Sequence, residues 1–600
     1  MEVLRALANC PPAKHAAVFL FNTGEESGLL GAHSFITQHP WRFSVRAAID
    51  LEAMGVGGRS ILFQAGPDGW LLRKFAEVAP YPDGQIVPQH DSLKLYREGS
   101  LQHSGDNLVA LLRSVTLSDE FEQQRNVSWK TDTKEETPVY VSVGSTMFVL
   151  SMASAHRLYQ SGIIASLFLL FVAPLFQHAL SGKSDAAHPD ASQFATWKLG
   201  LHMFTALALS LSTVMFTVVG AVSSAAAAAF LVSHPGFSYH SMPYVAHPWL
   251  VIGLFAAPAL AGGLIAHKAG QVVVFKYLKW IGLCQRGPAI MSEVERLLYK
   301  GGVLLWMVIL VVADRNSLGS AILAFVLMMA PMLTYLLLEG DGQSWTTNGP
   351  RTGLRWCTTV LALAVPLLAT SMAAIRLPAF LVGTFTSMDR NPGGAPLFMP
   401  SLFISILVAL LVSTFLVYLF PYAHRQGATL WLIGFSLFIM ATSFFTVHQQ
   451  ILPPLSDTLT RKVNVMHYFD ADRSAGFVTF FSLTPGALDE EVKTMNVEGL
   501  SCKKDMLIDF VHFNVTYACT KGTDYRAQPF DDSTLRAPKL ELVPNGGSSR
   551  SSSVRRDDEP MHVFIDAGGS MRWAIAINSD IVANYSLATR SGSVDDENST

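Results

Sequence analysis

The sequence predicts a multi-domain protein: an α/β domain at residues 1–140, a polytopic α-helical membrane domain of about eight spans at 141–447, and a β-rich C-terminal domain at 448–600. Three observations predict it. Hydrophobic residues make up 50% of the 600-residue chain and charged residues 15%, with a mean hydropathy of +0.32. That balance disfavours a disordered chain and an ordinary soluble globule. The apolar residues are also concentrated: long apolar runs dominate 158–447, whereas the flanking segments carry charge at soluble density. Finally, strand-like and helix-like runs alternate near the N-terminus, while only strand-like runs fill the C-terminal region. A net charge of −3 gives no support for a nucleic-acid partner. Five Cys without a CxxC exclude a disulfide scaffold and a zinc-ribbon module.

Within the first domain, residues 2–9 form an amphipathic start with Val3, Leu4 and Leu7 on one helical face. Residues 16–22 (AAVFLFN) are a continuous apolar run of strand length. Thr23-Gly24 ends it, Glu25-Glu26-Ser27-Gly28 follows, and LLGAHSFI reads as a helix. Residues 45–52 (VRAAIDLE) are a second strand candidate, followed by Gly55, Gly57 and Gly58. Residues 60–64 are a third candidate, and 70–79 read as a helix. This alternation suggests a mostly parallel sheet, whose ligands gather beyond the carboxyl ends of the strands. Glu25, Glu26, Asp50 and Glu52 all fall at such ends. Of two adjacent carboxylates, one can bind a metal while the other takes a proton from metal-bound water. By itself the pair is a poor signal and reads more readily as a solvated loop or the first turn of a helix.

The expected spans are 163–180, 199–232, 249–266, 301–313, 318–338, 356–375, 402–420 and 428–447, since about 20 residues cross a core of about 30 Å. The 13 residues of 301–313 also fit a half-helix or re-entrant segment. With 1–160 placed outside the cytosol, cytosolic loops hold ten Lys and Arg and the opposite loops three, in keeping with the positive-inside rule. The sequons at Asn126, Asn514, Asn584 and Asn598 all lie in the two soluble segments, as lumenal glycosylation requires. Cys502 and Cys519 either pair in an oxidising lumen or remain two buried thiols. No signal peptide opens the sequence, so export of the N-terminal domain is expected to need its first span or an upstream targeting segment. The spans read as nearly free of charge, which disfavours transport and favours an anchor bundle. The tract 223–230 (SSAAAAAF) offers small residues for close helix packing. In the C-terminal domain, 462–469, 476–483, 507–517, 539–543, 561–565 and 572–577 are strand candidates, and a β-sandwich fits their spacing.

Three passages carry a family resemblance: FLFNTGEESGLLGAHSFITQHPW, VRAAIDLEAMGVGGRSILFQAGP and GSLQHSGDNLVALL. Together with the domain order they resemble zinc-dependent metallopeptidase family 28, and within it the endoplasmic reticulum metallopeptidase branch. The resemblance implies a partial α/β zinc-aminopeptidase-like domain and peptide or protein substrates. It further implies residence in the endoplasmic reticulum membrane, with both soluble domains facing the lumen. Membrane lipid is then the remaining partner, and oligomeric state is left open. By the same resemblance Glu25 matches the general base, Glu26 a zinc ligand, and Glu52 the carboxylate ligand of a second zinc. Asp50 is not a ligand in the family and is expected to support the surrounding shell or a turn.

The departures are as informative. The family's His-x-Asp strand end, its bridging Asp and its Tyr-His-Thr segment have no counterpart here. The chain therefore reads as truncated at the N-terminus and shortened between 87 and 100, with His90 too poorly spaced to substitute. His103 reads as helix-start structure. Two zinc ions are the family's cofactor, but catalytic zinc keeps at least three protein ligands. The expectation is a membrane-anchored zinc metallopeptidase of exopeptidase type that is inactive in this form. The alternative is a non-catalytic, peptidase-like membrane protein that acts by binding.

Overall fold

The computed structural model describes residues 1–22, 29–51, 62, 64–66, 69–82, 98–120, 137–143, 146–172, 196–238, 240–282, 287–339, 353–364, 367, 382, 396–456, 461, 463–470, 475–482, 484, 488–495, 497–510, 513–524, 539–543 and 562–566. They fall into two compact units. One comprises 1–389, 395–462 and 484–486; the other comprises 390–394, 463–483 and 487–600.

The first unit opens with α1 (Glu2–Ala8), α2 (Leu30–Gln38), a 3-10 turn (Pro40–Ser44), α3 (Gly69–Val78) and α4 (Ser100–Thr116). The helices expected at 2–9, 29–36 and 70–79 therefore form, with ends shifted by one or two residues, as helix ends commonly are. Of the expected strands, most of 60–64 lies outside the described residues. Neither 16–22 nor 45–51 joins a ladder among the described residues. An apolar run becomes a strand only when a neighbour takes its backbone N–H and C=O groups. Here the run instead leaves Val18, Leu20 and Phe21 exposed. The next elements, β1 (Pro138–Val143) and β2 (Thr146–Ser151), form an antiparallel hairpin that runs straight into α5 (Met152–Leu167).

Among the described residues, seven helices are long and apolar enough to span a bilayer. The first is α5, extended by a π turn to Val172. Then come α6 (Thr196–Val232), α7 (Ala257–Trp280, preceded by a π turn at Ile252–Ala256), α8 (Gly287–Arg315) and α9 (Ala321–Glu339). After α10 (Met399–Leu416) and the short α11 (Phe420–Arg425), α12 (Thr429–His448) completes the set. Only 356–364, 367 and 382 of the segment containing the expected span at 356–375 are described up to 395, and 356–364 are helical. The 13-residue candidate at 301–313 proves to be the last half of α8, a 29-residue helix, so the re-entrant reading does not hold.

Two packing solutions hold these helices together. At the crossing of α6 and α7, a Cβ on Gly262 would lie 2.5 Å from the Gly220 carbonyl, so only glycine allows the backbones to meet. The Ser224 hydroxyl donates to the Pro258 carbonyl beside it at 2.8 Å, and Ala225, Ala228 and Ala229 of the small-residue tract are buried. In α9, Pro331 has no N–H for the Leu327 carbonyl; the Tyr418 hydroxyl donates to it instead at 3.3 Å, and the Tyr299 hydroxyl donates to the Pro331 carbonyl at 2.9 Å. The rings of Tyr335 and Tyr418 lie tilted against that of Tyr299 at this point, within the main core.

The second unit contains an antiparallel sheet of order β3-β4-β6-β5, built from β3 (Asn464–Asp470), β4 (Ala475–Phe481), β5 (Ser501–Phe510) and β6 (Phe513–Thr523). A separate hairpin pairs β7 (Lys539–Val543) with β8 (His562–Asp566). The single strand expected at 507–517 is instead the junction of β5 and β6. Its β-branched and aromatic residues belong to two strands on either side of 511–512. Leu488, Val492 and Cys519 form a small core under the sheet, with Leu488 and Val492 contributed by α13 (Asp489–Thr494) and its N-cap. The strand candidate at 572–577 lies outside the described residues.

Candidate active site

The three carboxylates singled out from the sequence, Glu25, Glu26 and Glu52, lie outside the described residues, as does His90. What surrounds them in the chain is described. Leu29 enters α2 through a left-handed conformation (φ 60°) and is half exposed. Asp50 and Leu51 are exposed ahead of Glu52. Among the described residues, no three His, Cys, Asp or Glu side chains are grouped to hold a metal ion.

The frame beneath these segments is a two-helix unit. Trp70 of α3 packs on Leu111 and Val115 of α4, with Ala47 set against the same cluster. The Trp70 indole donates to Glu120, and Lys74 lies 3.3 Å from Glu77 and 3.6 Å from Glu120. The hydrogen bond to Glu77 raises the Lys74 pKa. The chain before the candidate site is tied to the end of α4: the His15 amide donates to the Thr116 carbonyl at 2.9 Å, and Lys14 pairs with Asp119. That ammonium hydrogen bond holds the Asp119 carboxyl below its ordinary range.

His103 is buried in the first turns of α4, its ring stacked on Tyr81 at 4.8 Å. Asn107, one turn on, accepts from the Tyr81 amide at 3.0 Å and donates to the Tyr81 carbonyl at 2.7 Å. Together they pin 80–82 to the helix. Asn107 was not singled out from the sequence; an Asn on the buried face of an amphipathic helix is the signal that points to such a bond. Of the remaining candidates, Asn514 is the second residue of β6, opposite Asp509. Asn126, Asn584 and Asn598 lie outside the described residues. Cys502 and Cys519 are bonded to each other across β5 and β6, where the ladder sets them directly opposite.

The membrane bundle holds charges that the sequence placed in loops. Arg296 lies 3.3 Å from Glu339, and the Arg425 guanidinium donates to Glu295 at 3.1 Å. The same two carboxylates receive the backbone leading into the helix at 356–364: Glu295 accepts from the Leu354 amide at 3.2 Å, and Glu339 from the Arg355 amide at 2.9 Å and the Thr358 hydroxyl at 2.6 Å. Gly353 has no room for a Cβ above the Glu295–Arg425 pair. Beside it, His424 binds His267 at 2.9 Å and Thr429 at 2.6 Å. Burial pushes the His424 imidazole down to about 4, with the Lys268 charge adding to the effect.

These features describe a multi-domain membrane protein whose N-terminal module precedes a helical bundle in one chain. Comparison with known proteins assigns the module a class. Residues 1–104 match peptidase family M28. Endoplasmic reticulum metallopeptidase 1 of Rattus norvegicus is 35% identical over 161 residues, covering 20% of this chain and 18% of that protein. Putative endoplasmic reticulum metallopeptidase 1-B of Caenorhabditis elegans is 50% identical over 91 residues, 15% of this chain and 10% of its own. The vacuolar membrane protease of Candida tropicalis is 27% identical over 253 residues, 37% of this chain and 26% of its own. The chain thus spans less than a third of the length of each of these relatives. No solved structure matches. By this resemblance the N-terminal module is of M28 metallopeptidase type, a hydrolase class.

Proposed function

We propose that the chain is a membrane-anchored metallopeptidase-type protein of the secretory pathway, with both soluble regions facing the lumen of the endoplasmic reticulum and peptides or proteins as its substrates. The observation that carries this reading is the joining, in one chain, of an M28 match over residues 1–104 to helices long and apolar enough to span a bilayer. Relatives named as endoplasmic reticulum and vacuolar membrane peptidases support it. The bonded Cys502–Cys519 pair and the sequon at Asn514 in the same strand support an oxidising compartment for the C-terminal unit. In this reading Glu25 is the general base, and Glu26 and Glu52 are zinc ligands. Two carboxylates fall short of the three protein ligands that catalytic zinc keeps. These 600 residues by themselves are therefore a poor fit for the family's two zinc ions.

The second reading, a peptidase-like protein that binds without cleaving, follows from the same ligand count. Purified full chain separates the two. Stoichiometric zinc and peptide hydrolysis, both lost in Glu26→Ala and Glu52→Ala, would establish the enzyme and refute the ligand argument. Absence of zinc with retained peptide binding would establish the second reading.

A further inference from the structure

The last turns of α7 carry an exposed stripe. Val272, Val273, Lys276, Lys279 and Trp280 all face outward, whereas Gln271, Val274 and Leu278 are buried against the bundle. At 100° per residue the five exposed positions fall within an arc of about 120°. Trp280 is 79% exposed. The neighbouring turns of α6 add exposed Leu201 and Phe204, and the two helices are joined there by the His202–Tyr277 hydrogen bond of 3.1 Å.

Length sets the depth of this stripe. With its preceding turn, α7 runs 29 residues, or about 43 Å, against a hydrocarbon core of about 30 Å. Val272 to Trp280 spans about 12 Å, close to the excess. The stripe thus passes from the edge of the core into the headgroup layer, with valines at its inner end and lysines and tryptophan at its outer end. Along the chain through α6 and α7 the charge has one sign. The sequence has no Asp or Glu between Asp190 and Glu293, and Glu293 is buried. Apolar side chains, an interfacial Trp and lysines on one helical stripe are the combination that binds an anionic lipid surface.

We propose that this stripe docks on the headgroups of anionic phospholipids, with Lys276 and Lys279 pairing with their phosphate and carboxylate oxygens, Val272 and Val273 packing on the upper acyl chains, and Trp280 lying among the headgroups. The proposal rests on α7 spanning the membrane. Failure of the full chain to integrate into a bilayer would overturn that reading; integration without a lipid preference would overturn only the docking.

The test reconstitutes the full chain in nanodiscs of equimolar phosphatidylserine and phosphatidylcholine and measures, by native mass spectrometry, the ratio of the two lipids retained. Each lysine is expected to contribute about fivefold to that ratio, the factor given by about 1 kcal/mol. Lys276→Gln/Lys279→Gln should remove most of the preference, and Lys503→Gln in the other unit should leave it unchanged. In the unsubstituted protein the preference should also fall as salt rises, which guards against misfolding of the variant. No preference in the unsubstituted chain, an equal preference in the double variant, a salt-independent ratio, or displacement of the lipid by a polyglutamate peptide would each overturn the proposal.

Discussion

Acidification should loosen the membrane bundle at His424, and the burial of its ring sets the size of the effect. Folded His424 titrates near 4 against an ordinary value of 6.5, because its ring is buried between His267 and Thr429 with Lys268 nearby. A base whose folded pKa is depressed is bound by fewer protons when folded than when unfolded. Its contribution to stability is complete above the unfolded value and is lost as pH falls from about 6.5 toward 4. At about 1.4 kcal/mol per pH unit, roughly 2 kcal/mol is gone by pH 5 and roughly 3 by pH 4. The measurement is the melting temperature of the detergent-solubilised chain across this range, compared with His424→Gln. The unsubstituted protein should lose melting temperature steeply below pH 6.5. The variant should start lower at pH 7, having lost two hydrogen bonds, and then change less. Parallel pH curves for the two proteins would refute the reasoning.

Glu295→Ala leaves Arg425 and the Leu354 amide without their acceptor and should cost about 3–5 kcal/mol, read as a large drop in melting temperature; a drop no greater than that of an exposed Glu2→Ala control would contradict it. Gly262→Leu should force α6 and α7 apart and abolish the stable bundle, whereas Gly434→Leu, at a position with open space around it, should be tolerated; limited proteolysis distinguishes them. Cys502→Ser removes a cross-link closing a 17-residue separation and should lower the stability of the C-terminal unit by about 3 kcal/mol, measured by denaturant unfolding with and without reductant. For the N-terminal module, Asn107→Ala should release 80–82 and cost about 1–2 kcal/mol, visible as faster amide exchange at Tyr81.

The long apolar helices were legible because about 20 apolar residues in succession have few alternatives to crossing a bilayer. Their ends were less so. The expected spans at 249–266 and 301–313 stopped at Lys268 and Lys300, yet α7 and α8 continue through these lysines. A charge ends a span in a hydropathy reading, but in three dimensions it can be met by a partner from another helix, as Arg296 is by Glu339. The hairpin of β1 and β2 was missed although its runs, PVYVSV and TMFVLS, flank Gly144-Ser145, a turn-forming pair. Its closeness to the first apolar run masked it. In the N-terminal module the helices were readable from periodicity, which is local. The strand candidates 16–22 and 45–51 are not laddered among the described residues, because a ladder depends on a partner that no single run specifies. Glu25, Glu26 and Glu52 rest on motif resemblance, since an acidic pair is chemically ambiguous without its neighbours.

The buried ion pairs also bear on orientation. Helices α9, α10 and α12 are 18–20 residues long, close to what a bilayer core requires, whereas α6 and α8 run 37 and 29 residues. Glu339 is the last residue of α9, and Arg425 lies between α10 and α12. Their partners Arg296 and Glu295 sit 19 and 20 residues before the end of α8, about 30 Å along the helix. The pairs therefore fall at one level, where the shorter helices end and the longer ones continue. Two of the ten cations counted on the proposed cytosolic side, Arg296 and Arg425, are thus committed to carboxylates inside the bundle. Setting them aside leaves eight against three, so the asymmetry behind the proposed lumenal placement of the peptidase-type module does not depend on them.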